Sequence, residues 1–138
     1  MNRSAVITDN IAEILVKVME FTQTRQKVLA QNINDIHMAS FVPRDLPVDE
    51  FSRLLNNAID EHIRKQRLIL RDTEHIKFGI NGSFEVQPIV DETAKEIFAE
   101  SRDRYLELQI NKLMENSLNH RIATELLMQK QRTTSIFG

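Results

Sequence analysis

The chain has 138 residues, a formal net charge of −2, 41% hydrophobic and 28% charged residues, which suits one ordinary domain with a modest core. It has no cysteine, which excludes disulfides, thiolate metal sites and a cysteine nucleophile. Basic and acidic residues interleave, so no footprint for nucleic acid or anionic lipid stands out, and only 3 Gly and 3 Pro favour long helices over a turn-rich sandwich or barrel.

The first element predicted is an amphipathic helix from about Ser4 to Ile36. Ile7, Ile11, Ile14, Leu15, Val18, Phe21, Val28, Leu29, Ile33 and Ile36 recur mainly at steps of three, four and seven. Such a helix would be on the order of 50 Å long. Its stripe is interrupted over Thr22-Gln23-Thr24-Arg25-Gln26-Lys27, so it needs a partner. Thr8, Asp9, Asn10 and Glu13 interrupt any apolar run near Met1, and no cleavable export signal is expected. No stretch reaches the ~18 apolar residues that span a bilayer.

The middle, residues 37–90, holds all 3 Pro. Pro43 and Pro47 keep His37–Val48 out of regular helix. A shorter helix is predicted from Asp49 to about Leu70, with Phe51, Leu54, Leu55, Ala58, Ile59, Ile63 and Leu70 on one side. The pair Asn81-Gly82, flanked by Phe78, Ile80, Phe84 and Val86, predicts a β-hairpin. The last segment, residues 91–138, reads as a second long helix from an Asp91 N-cap to about Arg132, with no Gly or Pro inside. In it Leu106, Ile110, Met114, Leu118, Ile122 and Leu126 recur at a strict step of four, a row that winds about 40° per step around the axis. Such drift tends to a right-handed supercoil. Both long helices also suit an ordinary helical bundle.

Leu29-Ala30-Gln31-Asn32-Ile33 closes the first helix, and Phe41 and Arg44-Asp45 follow in the loop. This segment resembles the L-A-x-N-I signature of bacterial flagellar axial proteins, with its T-P-G-Y/F turn and the x-A-R-D of the shortest rod members. Met38-Ala39-Ser40 stands where that family has T-P-G. Further along, Thr73 before His75-Ile76, Val90-Asp91, Ala99 and Tyr105 resemble the proximal rod type of basal-body rod proteins, with Ser101 in place of an Asn. The resemblance implies a mainly α fold whose terminal helices pair as a coiled coil around an irregular middle. It implies a structural subunit of the proximal rod, exported and assembled into a helical tube that transmits torque. The partners implied are other rod and basal-body proteins and the flagellar export apparatus, and the place is the rod that crosses the periplasm.

On that reading the assembly residues are Leu29, Asn32, Ile33, Phe41, Arg44 and Asp45 around the turn, and Ile110, Leu118 and Ile122 on the step-four row. Phe41 would pack beside the end of the first helix. Arg44 and Asp45 would pair with each other or with neighbouring backbone. The residues themselves offer no catalytic constellation and call for no cofactor or metal. His37, His62, His75 and His120 are dispersed, without metal-ligand spacing, and no P-loop, G-x-S-x-G or G-x-G-x-x-G occurs. Asp60-Glu61-His62 and Glu74-His75 read as solvated or capping groups, and Arg64-Lys65-Gln66-Arg67 with Arg71 as a solvated face among acids. A cytosolic helical adaptor or export chaperone is the alternative, and a small helical nucleic-acid binder a third reading.

Overall fold

A computed structural model describes the backbone of residues 3–80 and 83–137 and the side chains of 10–80 and 83–132. The chain is mainly helical. Helix α1 runs Arg3–Asn34, α2 Val48–Lys65, α3 Glu92–Glu100 and α4 Arg102–Phe137. The strands are short: β1 Arg44–Asp45, β2 Ile76–Phe78, β3 Phe84–Val86 and β4 Ile89–Val90. They form two antiparallel pairs, β1 with β4 and β2 with β3.

Helix α1 is the shared element, because neighbouring positions on it face different partners. Val18, Phe21 and Val28 enter a core with Leu46, Phe51, Leu54 and Ile76, and Phe78, Phe84 and Val86 of the hairpin pack against it. The rings of Phe21 and Phe51 stack with centroids 4.0 Å apart. Lys17, buried on the same helix, keeps its ammonium between Glu13 and Glu20 and over the Phe84 ring. Another face of α1 meets α4. Asn32 touches Gln109 while Thr22 touches Asn116 and His120, so contacts descend one helix as they ascend the other and the pair is antiparallel.

Helix α2 begins after Pro47, with Asp49 and Glu50 in the first turn near the positive end of its dipole. It ends at Gln66, whose N–H still closes on the His62 carbonyl while its left-handed backbone (φ 56°) turns the chain out of the helix. The helix stops short of the predicted Leu70. Only part of its expected apolar side is used: Phe51, Leu54 and Ala58 are buried, whereas Ile59 and Ile63 are exposed. The hairpin has the predicted strands, with Phe78 opposite Phe84, while its Asn81-Gly82 turn lies outside the described residues. The Ile7 position of the predicted stripe is likewise outside the described side chains.

The predicted single C-terminal helix is interrupted. Ser101 is extended (φ −155°, ψ 116°), so α3 and α4 are separate helices. Asp91 does cap α3, its side chain accepting the Ala94 N–H. Ser101 then caps α4 through an Oγ that accepts the Arg104 N–H at 3.2 Å. Sequence periodicity missed this break because Ser101 is neither Gly nor Pro. Tertiary contacts on both sides hold it.

Candidate functional site

The last turn of α1 and the loop after it meet α3 and α4 at a knot of buried polar groups. Asn32 is its centre. Its Nδ2 donates to the Arg44 carbonyl (2.7 Å) and to Gln109 Oε1 (2.9 Å), and its Oδ1 accepts the Arg44 N–H (3.0 Å). One amide side chain thus pairs both main-chain groups of Arg44, as a neighbouring strand would, and this fixes which of its ends is oxygen. Gln109 must then present oxygen to Asn32, which leaves its own Nε2 buried and without a hydrogen-bond partner among the described residues. The Tyr105 hydroxyl donates to the Asn32 carbonyl at 2.6 Å, occupying one of the acceptors that a helix leaves open at its C-terminal end.

Beside this clamp lies an ion-pair chain. Arg25 Nε and Nη2 grip Asp45 Oδ1 and Oδ2 at 2.8 and 3.0 Å in the two-pronged geometry that suits guanidinium and carboxylate. Lys112 Nζ reaches Asp45 Oδ2 at 3.0 Å and Asp91 Oδ2 at 2.6 Å. The two cations and two anions balance, and they tie α1, β1, α4 and the cap of α3 together. Burial alone would push the Asp45 carboxyl up, but Arg25 and Lys112 outweigh it and hold the group below the usual carboxylate range. Burial would likewise lower Lys112, and the Asp91 and Asp45 carboxylates outweigh it, so its ammonium is held above the ordinary lysine value. The Tyr105 phenol is pushed well up, first by burial and then by the Asp91 charge.

Further along the same seam the polar pairing continues. Asn116 Nδ2 donates to the Thr22 carbonyl at 2.7 Å and to Gln26 Oε1 at 3.1 Å. Thr22 Oγ1 lies 2.8 Å from the Val18 carbonyl and 2.8 Å from His120 Nδ1. The carbonyl can only accept, so the hydroxyl proton goes to it and His120 donates to the oxygen. A hydroxyl held this way is capping a helix carbonyl and is not primed for attack. A second cluster joins α2 to the hairpin, where Glu50 accepts from the His75 N–H (2.9 Å), His75 Nδ1 (2.8 Å) and the Thr73 hydroxyl. Burial would raise the Glu50 carboxyl, but these donors, His75 first, hold it below its ordinary value. Among the described residues no group of three His, Cys, Asp or Glu side chains could hold a metal ion.

The structure brings Asn32 and the Arg44-Asp45 strand together, while Leu29 on the same helix is fully buried and Ile33 is half-buried. Phe41 does not simply flank the end of α1. Its ring meets Phe98 and Tyr105 edge-on, with centroids 5.5 and 6.3 Å away. Nor do the Arg44 and Asp45 side chains pair with each other. Arg44 is exposed, and Asp45 takes the neighbouring Leu46 N–H but finds its charge partners on distant helices. Alternate side chains of a strand point to opposite faces, which separates the two.

Ile110, Leu118 and Ile122 stand apart from this knot, exposed on α4 with Met114 (66%) and Leu126. Sequence reasoning missed Arg25, Gln109, Lys112, Asn116 and His120. A signal existed: Tyr105, Gln109, Lys112, Asn116 and Ala123 follow steps of four, three, four and seven, the spacing of one helix face. The polar gap in the α1 stripe is its complement. No protein-family model, no curated protein and no solved structure matches this chain.

Proposed function

We propose that the chain is a structural subunit of the proximal rod of the bacterial flagellar basal body, exported and built into a helical tube. Its α1/α4 pair serves as the coiled-coil wall element, and its role is architectural rather than catalytic. One observation carries the reading. Helix α4 buries Gln109 and Asn116 against α1 and leaves Ile110, Met114, Leu118, Ile122 and Leu126 in water. Helices of soluble monomers put these residue types the other way round. A contiguous apolar row of this kind is the mark of a protein contact. Burying one such side chain contributes roughly 1.5–3 kcal/mol, repeated at every subunit. The turn adds support, since Ser40 has φ 61° at the position where the rod family carries the Gly of T-P-G. Partners are then other rod and basal-body proteins and the export apparatus. Among the described residues no helix is long and apolar enough to cross a membrane.

Replacing Leu118, 58% exposed, by Asp tests the reading. The free chain should keep its circular-dichroism melt and its secretion, while incorporation into basal bodies, followed by an antibody against the chain, fails. Collapse of the monomer melt would point to a self-contained bundle. Absence of the wild-type chain from purified basal bodies would favour a cytosolic adaptor or export chaperone.

A further inference from the structure

From Glu92 to Phe137 the sequence carries no Gly and no Pro, yet the helix is broken at one residue. Ser101 is extended without strain, and its helix neighbours on both sides are good helix formers. Nothing local forbids a continuous helix there. What holds the bend is remote in sequence. Lys112 reaches back to the Asp91 cap at 2.6 Å, although on an unbroken helix these two residues would stand about 30 Å apart. Phe98 and Tyr105 have ring centroids 4.9 Å apart, whereas a straight helix would separate their Cα atoms by about 10 Å along its axis. Phe41 wedges against both rings. The bend also keeps β4 paired to β1, through Val90 opposite Arg44 and Ile89 opposite Asp45.

We propose that Ser101 is a two-state hinge: α3 and α4 are halves of one helix, held folded back by the Lys112–Asp91 clasp and the Phe41–Phe98–Tyr105 cluster, and they straighten when the clasp is released. The bend is a local choice between Ser101 as a cap and Ser101 as a helical residue, with tertiary contacts setting the balance. Straightening takes Phe98 away from both the Tyr105 and the Phe41 rings. The anchor at Asn32 and Tyr105 lies wholly on α1 and α4 and stays in place. On the assembly reading above, on which this last step alone rests, the bent form is the free subunit and the straight form the one a neighbour stabilises, so the clasp guards against premature polymerisation.

The chain has no cysteine, so spin labels can be placed at two introduced ones, Glu92→Cys and Asn111→Cys, both at exposed positions. A continuous helix sets their backbones about 28 Å apart, and the folded-back form sets them much closer. Dipolar distance measurement on the dilute full chain needs no assembly partner, so it reads the hinge separately from rod function. In the otherwise native chain the short distance should dominate. Adding Ser101→Ala removes the α4 cap and supplies the best helix former, and Asp91→Asn keeps the α3 cap while weakening the clasp. Together they should raise the 28 Å population at least tenfold, and Ser101→Gly with Asp91→Asn should not. A double variant that keeps only the short distance overturns the hinge. So does one whose distances merely broaden while helical circular dichroism falls, because α3 would then be melting and not joining α4.

Discussion

Tyr105 donates its hydroxyl proton to the main-chain carbonyl of Asn32 at 2.6 Å, so a side chain of α4 ends the hydrogen-bond ladder of α1. The bond is wholly buried. It couples the C-terminus of one helix to the first turn of another, at the point where the Phe41 loop leaves.

Tyr105→Phe therefore removes a donor and leaves a buried carbonyl unmet, with the ring contacts to Phe41 and Phe98 intact. The expected loss is about 1–3 kcal/mol, read as a lower urea midpoint at unchanged slope. A variant as stable as the native chain would mean that the carbonyl finds another donor and that the ring alone matters there.

Stability should fall at both ends of the pH scale. Asp45 and Glu50 titrate lower in the folded chain than the ordinary values of 3.8 and 4.5 for such groups. Their contribution is present above those unfolded values and is lost as pH falls through the folded ones. Lys112 and Tyr105 are raised above 10.5 and 10.0, so their contribution is present below those values and is lost as pH rises through the folded ones. Urea midpoints from pH 2 to 12 should be flat between about 5 and 9 as far as these groups go. Asp45→Asn should flatten the acid limb in particular, since the group that gains a proton is gone. An acid limb unchanged in that variant would assign acid unfolding to other carboxylates.

Ser40 holds φ 61° in a turn closed by the Phe41 N–H, which reaches the Met38 carbonyl at 3.3 Å. Left-handed backbone costs a non-glycine residue roughly 1 kcal/mol, part of which returns through the greater freedom of glycine in the unfolded chain. Ser40→Gly should raise the thermal midpoint slightly, by less than about 1 kcal/mol in stability, whereas Ser40→Val should lower it by more than that. A glycine variant that melts earlier would show that the Ser40 side chain contributes something beyond its backbone.

Much of this architecture was legible from apolar spacing, and the rest was hidden for a consistent reason. The α1 positions Val18, Phe21 and Val28, the α2 core positions Phe51 and Leu54, the hairpin strands and the Asp91 cap all follow from local pattern and appear where the pattern puts them. The outward row of α4 was legible as a row, and its exposure fits the difficulty of burying a line that winds around its axis. What local pattern could not give was the polar knot. Arg25, Asp45, Lys112 and Asp91 are drawn from four separate elements, and their side chains look like ordinary solvated charges until the fold brings them together. The break at Ser101 was hidden likewise, because the contacts that go with it, Phe41 on Phe98 and Lys112 on Asp91, are remote in sequence.

The polar seam between α1 and α4 also sets how the two helices can slide. Apolar side chains grip almost any apolar neighbour, so a greasy seam can shift by a turn and lose little. Asn32 with Gln109, Thr22 with Asn116 and Tyr105 with the Asn32 carbonyl have no such tolerance. A slip of one turn, about 5.4 Å, would strand every one of these donors and acceptors at once. The pair is thus keyed to one register, and its hydrogen bonds oppose axial slip.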